Sequence, residues 1–137
     1  MRSPAVRDYM SQCPVLLAPD RTARDAENAM KSNGIRHIVV ELGGKAVGVI
    51  SFSDLHVLNS ILRIELDAIM IGEVMNKELA KLRPDVPLRE AAGLMARRSI
   101  GSVVVVGPDD APVGILTASD CVRALADVLS PPETKAP

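Results

Sequence analysis

The chain has 137 residues, the size of one ordinary domain, and can bury a core without disulfides or a structural metal. Its 16 basic and 17 acidic residues are interspersed, so no basic surface indicates a nucleic-acid or membrane partner. Only Tyr9 and Phe52 are aromatic, which excludes a single-strand-binding surface built on stacked bases.

The first half of the chain predicts five elements in the order β-α-β-β-α. In chain order these are a short strand at 15–17, a helix that Thr22 and Asp25 cap and Gly34 ends, strands at 38–40 and 46–50 around a Gly43-Gly44 turn, and a helix that begins near Ser53. The strands are apolar without alternation, which is typical of strands covered on both faces.

The second half of the chain repeats the first. LAPDRTARDAENAM, from Leu17, aligns with LRPDVPLREAAGLM, from Leu82, and VGVISFSDL aligns with VGILTASDC after a one-residue insertion in a turn. Pro87 takes the place of Thr22 and suits the first position of a helix. Strands are predicted at 79–82, 103–106 and 113–116, with a helix from near Ser119.

These patterns predict an α/β fold of two β-α-β-β-α repeats with pseudo-two-fold symmetry, in which helices cover small mixed sheets. The repeats are predicted at residues 1–66 and 67–129, and the polar, proline-rich segment 130–137 is predicted to be disordered. No apolar stretch is long enough for a secretory signal or a membrane span. Cys13 and Cys121 form no CxxC pair, which favours reduced thiols, so we expect a soluble cytoplasmic protein.

Each repeat contains the motif G-h-h-[S/T]-x-S-D, where h is apolar, at residues 48–54 and 114–120. A hydroxyl and a carboxylate at a helix start suit a phosphate and a ribose diol, respectively. The alternative is structural, because Ser53 and Ser119 are good helix N-caps and an aspartate in the first turn favours the helix dipole. The motif alone leaves both interpretations open.

The order and spacing of RDYMSQCPVLLAPDRTARDA, GIRHIVVE and GILTASD resemble the CBS domain, named after cystathionine β-synthase, which occurs in tandem as a Bateman module. The resemblance covers residues 6–129. It implies that an adenosine compound, such as AMP, ATP or S-adenosylmethionine, binds between the repeats as a regulatory ligand, with no cofactor required. Such a module modulates an effector protein, here unknown, and is typical of energy sensing.

By position, the resemblance also assigns residues to the ligand. They are Asp54 and Asp120 for the ribose hydroxyls, Ser51 and Thr117 with the adjacent Ser53 and Ser119 for phosphate or ribose, Ile35 and Ile100 for adenine, and the short first strands with Leu17 and Leu82 for backbone contacts to adenine. Arg36, and also Arg98 or Arg123, suits a phosphate, although each could equally be a solvated surface arginine. The second repeat has Gly101-Ser102 where the first has Arg36-His37, so we expect two inequivalent clefts.

We expect neither catalysis nor a metal site. The sequence contains no Walker loop and no GxGxxG motif, and His37 and His56 have no zinc ligand at the usual spacing. The apolar residues from Leu55 to Met70 would wrap more than half of one helix and leave an exposed face, which predicts a homodimer. The alternative function is therefore a ligand-independent dimerisation or protein-interaction module.

Overall fold

Two small mixed sheets form from the apolar segments in the computed structural model, which describes residues 3–12 and 15–130. The elements are α1 (Val6–Tyr9), β1 (Ser11–Gln12), β2 (Leu16–Leu17), α2 (Ala23–Asn33), β3 (His37–Leu42), β4 (Lys45–Ser51), α3 (Phe52–His56), α4 (Ile71–Val74), β5 (Lys81–Leu82), α5 (Leu88–Arg98), β6 (Ser102–Val106), β7 (Pro112–Thr117) and α6 (Ala118–Leu129). The predicted α/β repeat architecture is confirmed. Of the segment 130–137 that was predicted to be disordered, Ser130 is the C-cap of α6, while 131–137 and Cys13 lie outside the described residues.

Local capping signals set the bounds of the helices that follow the first strands. The Asp25 N–H donates to Thr22 Oγ1 at 3.1 Å, and the Thr22 N–H donates to Asp25 Oδ2 at 3.0 Å, which confirms the predicted cap of α2. Gly34 ends that helix with a φ of 63°. Pro87 is the N-cap of α5 rather than its first helical residue, because its ψ of 137° is still extended.

The two sheets pack against each other through one apolar layer. In the first sheet β2 is parallel to β3, which is antiparallel to β4; in the second, β5 is parallel to β6, which is antiparallel to β7, and β1 adds at the edge of β7. The buried residues between the sheets are Val39, Ala46, Val49, Val104, Val106 and Ile115. Helices cover the outer faces, so the strands are buried on both sides, as their continuous apolar runs predict.

The segment that leads into each repeat packs on the other repeat. Val6 lies in the second core, where its N–H donates to the Val86 carbonyl at 2.8 Å. Ile71 lies in the first core, where its N–H donates to the Arg21 carbonyl at 2.8 Å. A division between residues 66 and 67 therefore separates the sequence repeats. Each core nevertheless includes residues from both sides of this division.

The predicted apolar helix from Leu55 to Met70 is wrong in its length. After α3 the chain makes one π-helical turn at Val57–Ile61 and leaves the helix at Arg63, whose φ is 59°. This reversal returns Ile64, Leu66 and Ile69 to the core that already holds Leu55 and Leu58. The apolar residues are too many for one face of a helix, and folding back lets these three pack on the core as well. Val57, Ile61, Leu62 and Met70 stay exposed.

Helix α6 carries a second exposed apolar surface. Val122, Leu125, Val128 and Leu129 are 64%, 56%, 68% and 72% exposed.

In the part of the chain that is described, no helix has the length and apolarity needed to cross a membrane.

Candidate functional site

The hydroxyl and carboxylate of the first motif cap helix α3. The Asp54 N–H donates to Ser51 Oγ at 3.1 Å, and the Ser51 N–H donates to Asp54 Oδ2 at 2.9 Å. Strand β4 stays extended through Ser51, so the helix begins at Phe52. The N-cap is therefore Ser51, and the interpretation of Ser53 as the N-cap is wrong by two positions.

The second motif repeats this arrangement at the start of α6. The Thr117 N–H donates to Asp120 Oδ2 at 2.8 Å, and the Asp120 N–H donates to Thr117 Oγ1 at 3.3 Å. Thr117 is extended and Ala118 begins the helix, so Ser119 is likewise not the N-cap. The motif thus has the helix-capping role that the sequence left open. The side chains of Ser53 and Ser119, in the first turn of each helix, take no part in the cap.

The two motif carboxylates have different surroundings. Asp120 is only 5% exposed, and its second oxygen, Oδ1, accepts a hydrogen bond from Arg123 Nη1 at 3.3 Å. Asp54 is exposed, and its hydrogen bonds among the described residues are those of the cap. Arg123 therefore accompanies a carboxylate rather than an open phosphate position.

A cleft of about 240 Å³, called the first cleft below, lies between the two repeats. Its lining residues are Ser11, Gln12, Val15, Gly34, Ile35, Arg36, His37, Val39, Ile115, Thr117 and Ser119. Four residues assigned from the sequence thus meet here: Ile35 and Arg36 from the first repeat, and Thr117 and Ser119 from the second. Asp120, in the cap beside them, is not itself a lining residue.

A second cleft of about 220 Å³ is lined mostly by residues at the positions that correspond, in the other repeat, to those of the first cleft. Its lining residues are Val49, Asn76, Glu78, Leu79, Ala80, Ser99, Ile100, Gly101, Ser102 and Val104. Ile100 is in the predicted position, but Ser51, Ser53 and Asp54 are not among the lining residues. Gly101 and Ser102 replace Arg36 and His37 of the first cleft, and Glu78 adds an acidic residue, so the two clefts differ in charge.

Leu17 and Leu82 lie in the short first strands, as predicted, but pack against the two helix-covered cores. The chain before each of these leucines lines the clefts instead, through Val15 in the first cleft and Leu79 and Ala80 in the second. The residues that line the clefts therefore lie two or three positions before the leucines that the resemblance assigned to the ligand.

The basic side of the first cleft consists of Arg36 and His37. The Arg36 guanidinium carbon lies 4.7 Å from the centroid of the Phe52 ring, a cation–π contact that holds the charge beside the cleft. Burial lowers the pKa of His37 below its ordinary value of 6.5, while the carboxylates of Asp54 and Asp120 act against this shift. His37 therefore lies within electrostatic reach of both motif carboxylates.

His37, Ser11 and Gln12 are lining residues that the sequence analysis did not assign to the ligand. The replacement of His37 by Ser102 between otherwise matched strands was the available signal for His37. Nothing in the sequence indicated Ser11 and Gln12, because they reach the cleft by pairing with β7 of the other repeat. Within residues 3–12 and 15–130, no group of three His, Cys, Asp or Glu side chains is placed to hold a metal ion.

Comparison with known proteins places this geometry in a family. The CBS domain model matches residues 6–57 and 71–127. Curated relatives include inosine-5'-monophosphate dehydrogenase of Korarchaeum cryptofilum, 26% identical over 77% of this chain and 21% of the relative. Arabinose 5-phosphate isomerase of Pseudomonas aeruginosa is 32% identical over 80% of this chain and 33% of the relative. The chain thus spans between a fifth and a third of the length of these two enzymes.

Solved structures share the fold over nearly the whole chain. The CBS domain pair of protein MJ0100, in complex with 5'-methylthioadenosine and S-adenosyl-L-methionine, has a TM-score of 0.81 and 23% identity, covering 93% of this chain and 99% of that one. CBSX2 in complex with AMP has a TM-score of 0.72 and 24% identity, covering 90% and 97%. With both repeats matched by the family model and the fold shared with CBS domain pairs, this chain belongs to the CBS domain family, of which it carries two copies in tandem.

Proposed function

We propose that this chain is a regulatory module that binds an adenine nucleotide or adenosyl compound, such as AMP, ATP or S-adenosylmethionine, in the first cleft and modulates an effector protein. The observation that carries this proposal is the composition of the first cleft. Ile35 and Arg36 of one repeat face the same space as Thr117 and Ser119 of the other. A ligand held there touches both repeats.

The chemistry of the lining suits each part of an adenosine compound. Aliphatic side chains, among them Ile35, Val39 and Ile115, offer apolar walls for a purine in a chain that has almost no aromatic residues. Arg36 supplies a positive charge for a phosphate. The Thr117–Asp120 cap stands at the wall, where the carboxylate can accept hydrogen bonds from ribose hydroxyls once the ligand is bound. The adenosyl ligands of the MJ0100 pair and of CBSX2 support this choice of ligand class.

The ligand would act by a shift of populations. A ligand that contacts both repeats stabilises the relative arrangement that it fits, and an effector that distinguishes the arrangements reads the change. We assign no catalytic step to the first cleft, where the Thr117 hydroxyl is engaged with the Asp120 carboxylate in the helix cap.

We further propose that two copies associate through their exposed apolar helix faces. Leu125 and Val128 of α6 border a groove of about 460 Å³ against α5 that is lined mainly by apolar side chains. The first repeat exposes Ile61 and Leu62 at the corresponding helix. An isologous homodimer would remove this surface from water. A module that dimerises in this way without any ligand is the competing function.

Calorimetric titration with AMP, ATP, S-adenosylmethionine, 5'-methylthioadenosine and NAD tests the proposed function. We expect at least one of these compounds to bind more tightly than millimolar. Asp120→Asn should weaken that binding by about 30- to 150-fold, the equivalent of about 2–3 kcal/mol. Binding no tighter than millimolar for every compound would leave the ligand-independent interaction module as the better account.

Asp25→Asn is the matched control for this substitution. Asp25 forms the same hydrogen bonds with Thr22 in the cap of α2, and neither residue lines either cleft. The two variants should lose similar stability, measured by chemical denaturation, but only Asp120→Asn should lose affinity. Equal affinity losses would show that Asp120 acts through the fold alone.

A further inference from the structure

A network around Arg123 holds the N-terminal segment, residues 3–12, on the second repeat. The Tyr9 hydroxyl donates to Asp127 Oδ2 at 2.5 Å, and Arg123 Nη2 donates to the Tyr9 carbonyl oxygen at 3.0 Å. The Arg123 guanidinium carbon also lies 5.5 Å from the centroid of the Tyr9 ring. Three contacts thus join two side chains of α6 to one residue of α1.

The same arginine binds the carboxylate behind the first cleft. Arg123 Nη1 donates to Asp120 Oδ1 at 3.3 Å, while Asp120 Oδ2 accepts from Thr117 in the helix cap. Asp120 is almost fully buried, and Arg123 and Tyr9 are not lining residues of the first cleft. Arg123 therefore reaches the carboxylate from outside the cleft and restricts its orientation.

The N-terminal segment supplies another part of the wall of the first cleft. Ser11 and Gln12 line it and pair with Ile115 and Gly114 of β7. In the chain they follow Tyr9 after one residue, Met10. The wall thus has one part at Ser11 and Gln12 and another at the Thr117 cap. Arg123 contacts Tyr9, which precedes the first part, and Asp120, which belongs to the cap of the second.

The first repeat does not carry this network. The positions that align with Arg123, Tyr9 and Asp127 hold Val57, Val74 and Ile61, none of which can form these hydrogen bonds. The network is therefore not a copy of a shared cap. It distinguishes the buried carboxylate of the second repeat from the exposed one of the first.

We infer that Arg123 is a positioning residue that couples occupancy of the first cleft to docking of the N-terminal segment, an inference that rests on the proposed function. A ligand between Ser11–Gln12 and Thr117–Ser119 contacts both parts of the wall and so favours the docked segment. Because binding linkage is reciprocal, docking of the segment raises the affinity for the ligand. The N-terminal segment is then the element whose state reports ligand occupancy to an effector.

Amide hydrogen exchange on the full chain tests this coupling. The probes are the amides of Val6, Arg7 and Met10, which donate to Val86, Pro84 and Val6 in the docked segment. Saturating AMP, or S-adenosylmethionine if titration shows that AMP does not bind, should slow their exchange about fivefold or more. In the Arg123→Gln variant these amides should exchange faster without ligand, and ligand should slow their exchange much less. The affinity of the variant for the ligand should also fall.

Arg21→Gln is the matched control, and Tyr9→Phe is the second variant. Arg21 Nε pairs with Asp25 Oδ2 at 3.0 Å, so it is also an arginine beside a helix-capping aspartate, but it lies away from the first cleft. It should behave as the wild type. Tyr9→Phe keeps the ring and removes the hydrogen bond to Asp127, so it should change exchange in the same direction as Arg123→Gln.

The outcomes separate the inference from the proposed function. If a compound binds but leaves the three amides unchanged, or if Arg123→Gln responds to it as the wild type does, the coupling is wrong and the binding function stands. If no adenosine compound binds, the proposed function fails and the coupling fails with it. Unchanged ligand-free exchange in Arg123→Gln would by itself show that Arg123 does not hold the segment.

Discussion

Met10 and Gly114 are in contact across the two repeats because Gly114 has no side chain. A β-carbon at residue 114 would lie 2.9 Å from the Met10 sulfur and 2.7 Å from the carbonyl oxygen of Ser11. Both distances are too short for a real contact, and the Ser11 oxygen belongs to the backbone of β1. The glycine of the second motif is therefore needed for the N-terminal segment to pair with β7.

Gly114→Ala should consequently displace β1 and loosen the wall of the first cleft. We expect a loss of about 1–3 kcal/mol in the free energy of unfolding, as is typical of overpacking, together with weaker ligand binding. Urea denaturation and titration measure the two effects. Gly101→Ala is the control, because its β-carbon would meet no atom within 4 Å. Equal stabilities of the two variants would contradict the prediction.

The helix caps of α2 and α6 allow stability to be separated from binding. Thr22→Ala and Thr117→Ala each remove a capping hydroxyl and should each cost about 1 kcal/mol of stability. Thr117 also lines the first cleft, whereas Thr22 does not. Only Thr117→Ala should therefore weaken the binding of an adenosine compound, measured by calorimetry. The same affinity change in both variants would indicate that cap stability alone determines binding.

The burial of His37 predicts a pH dependence of stability. Because burial lowers the pKa of His37, the folded protein binds fewer protons at this site than the unfolded chain does at acidic pH. Stability should be unaffected by His37 above its ordinary pKa of 6.5 and should fall as the pH drops from there through its folded value. Chemical denaturation at a series of pH values below 6.5 should show this decrease in the free energy of unfolding. In His37→Gln the decrease should be smaller by the contribution of His37.

The carboxylates near His37 offer a direct spectroscopic check. Asp54 and Asp120 both raise the pKa of His37 against the effect of burial, so Asp54→Asn and Asp120→Asn should each lower it further. An NMR titration of the His37 ring in the two variants measures this. A pKa that rises or stays unchanged in both would place His37 outside the field of these carboxylates.

The exposed face of α6 predicts the oligomeric state. Leu125→Glu combined with Val128→Glu should convert the proposed homodimer into a monomer, because two charges from each copy would then have to be buried in the contact. Light scattering measures the mass in solution. Leu42→Glu is the control, since Leu42 is 60% exposed at the end of β3 and does not line the groove beside α6. A wild-type monomer, or a dimer that survives the α6 substitutions, would remove the proposed interface.

The local parts of the fold were predictable because their signals lie within a few residues. The Thr22–Asp25 pair, Gly34 and the Gly43-Gly44 turn predicted their elements correctly, since caps and turns depend on neighbouring backbone groups. The errors at Ser53 and Ser119 were also local. Each motif offers two hydroxyls, and only the strand pairing of the first one decides which of them is the cap.

The sequence by itself determined the duplication and the elements of each repeat, because repeats, periodicity and caps are patterns along the chain, and its resemblance to the CBS domain assigned Ile35, Arg36, Thr117 and Ser119 to the ligand. Only the tertiary structure decided that the N-terminal segment packs on the second repeat, that the chain turns back at Arg63, and that Arg123 joins Asp120 to Tyr9. The contacts of the N-terminal segment with the second repeat join residues far apart in the chain. They form because each core needs apolar surface and hydrogen-bond partners that its own repeat does not supply.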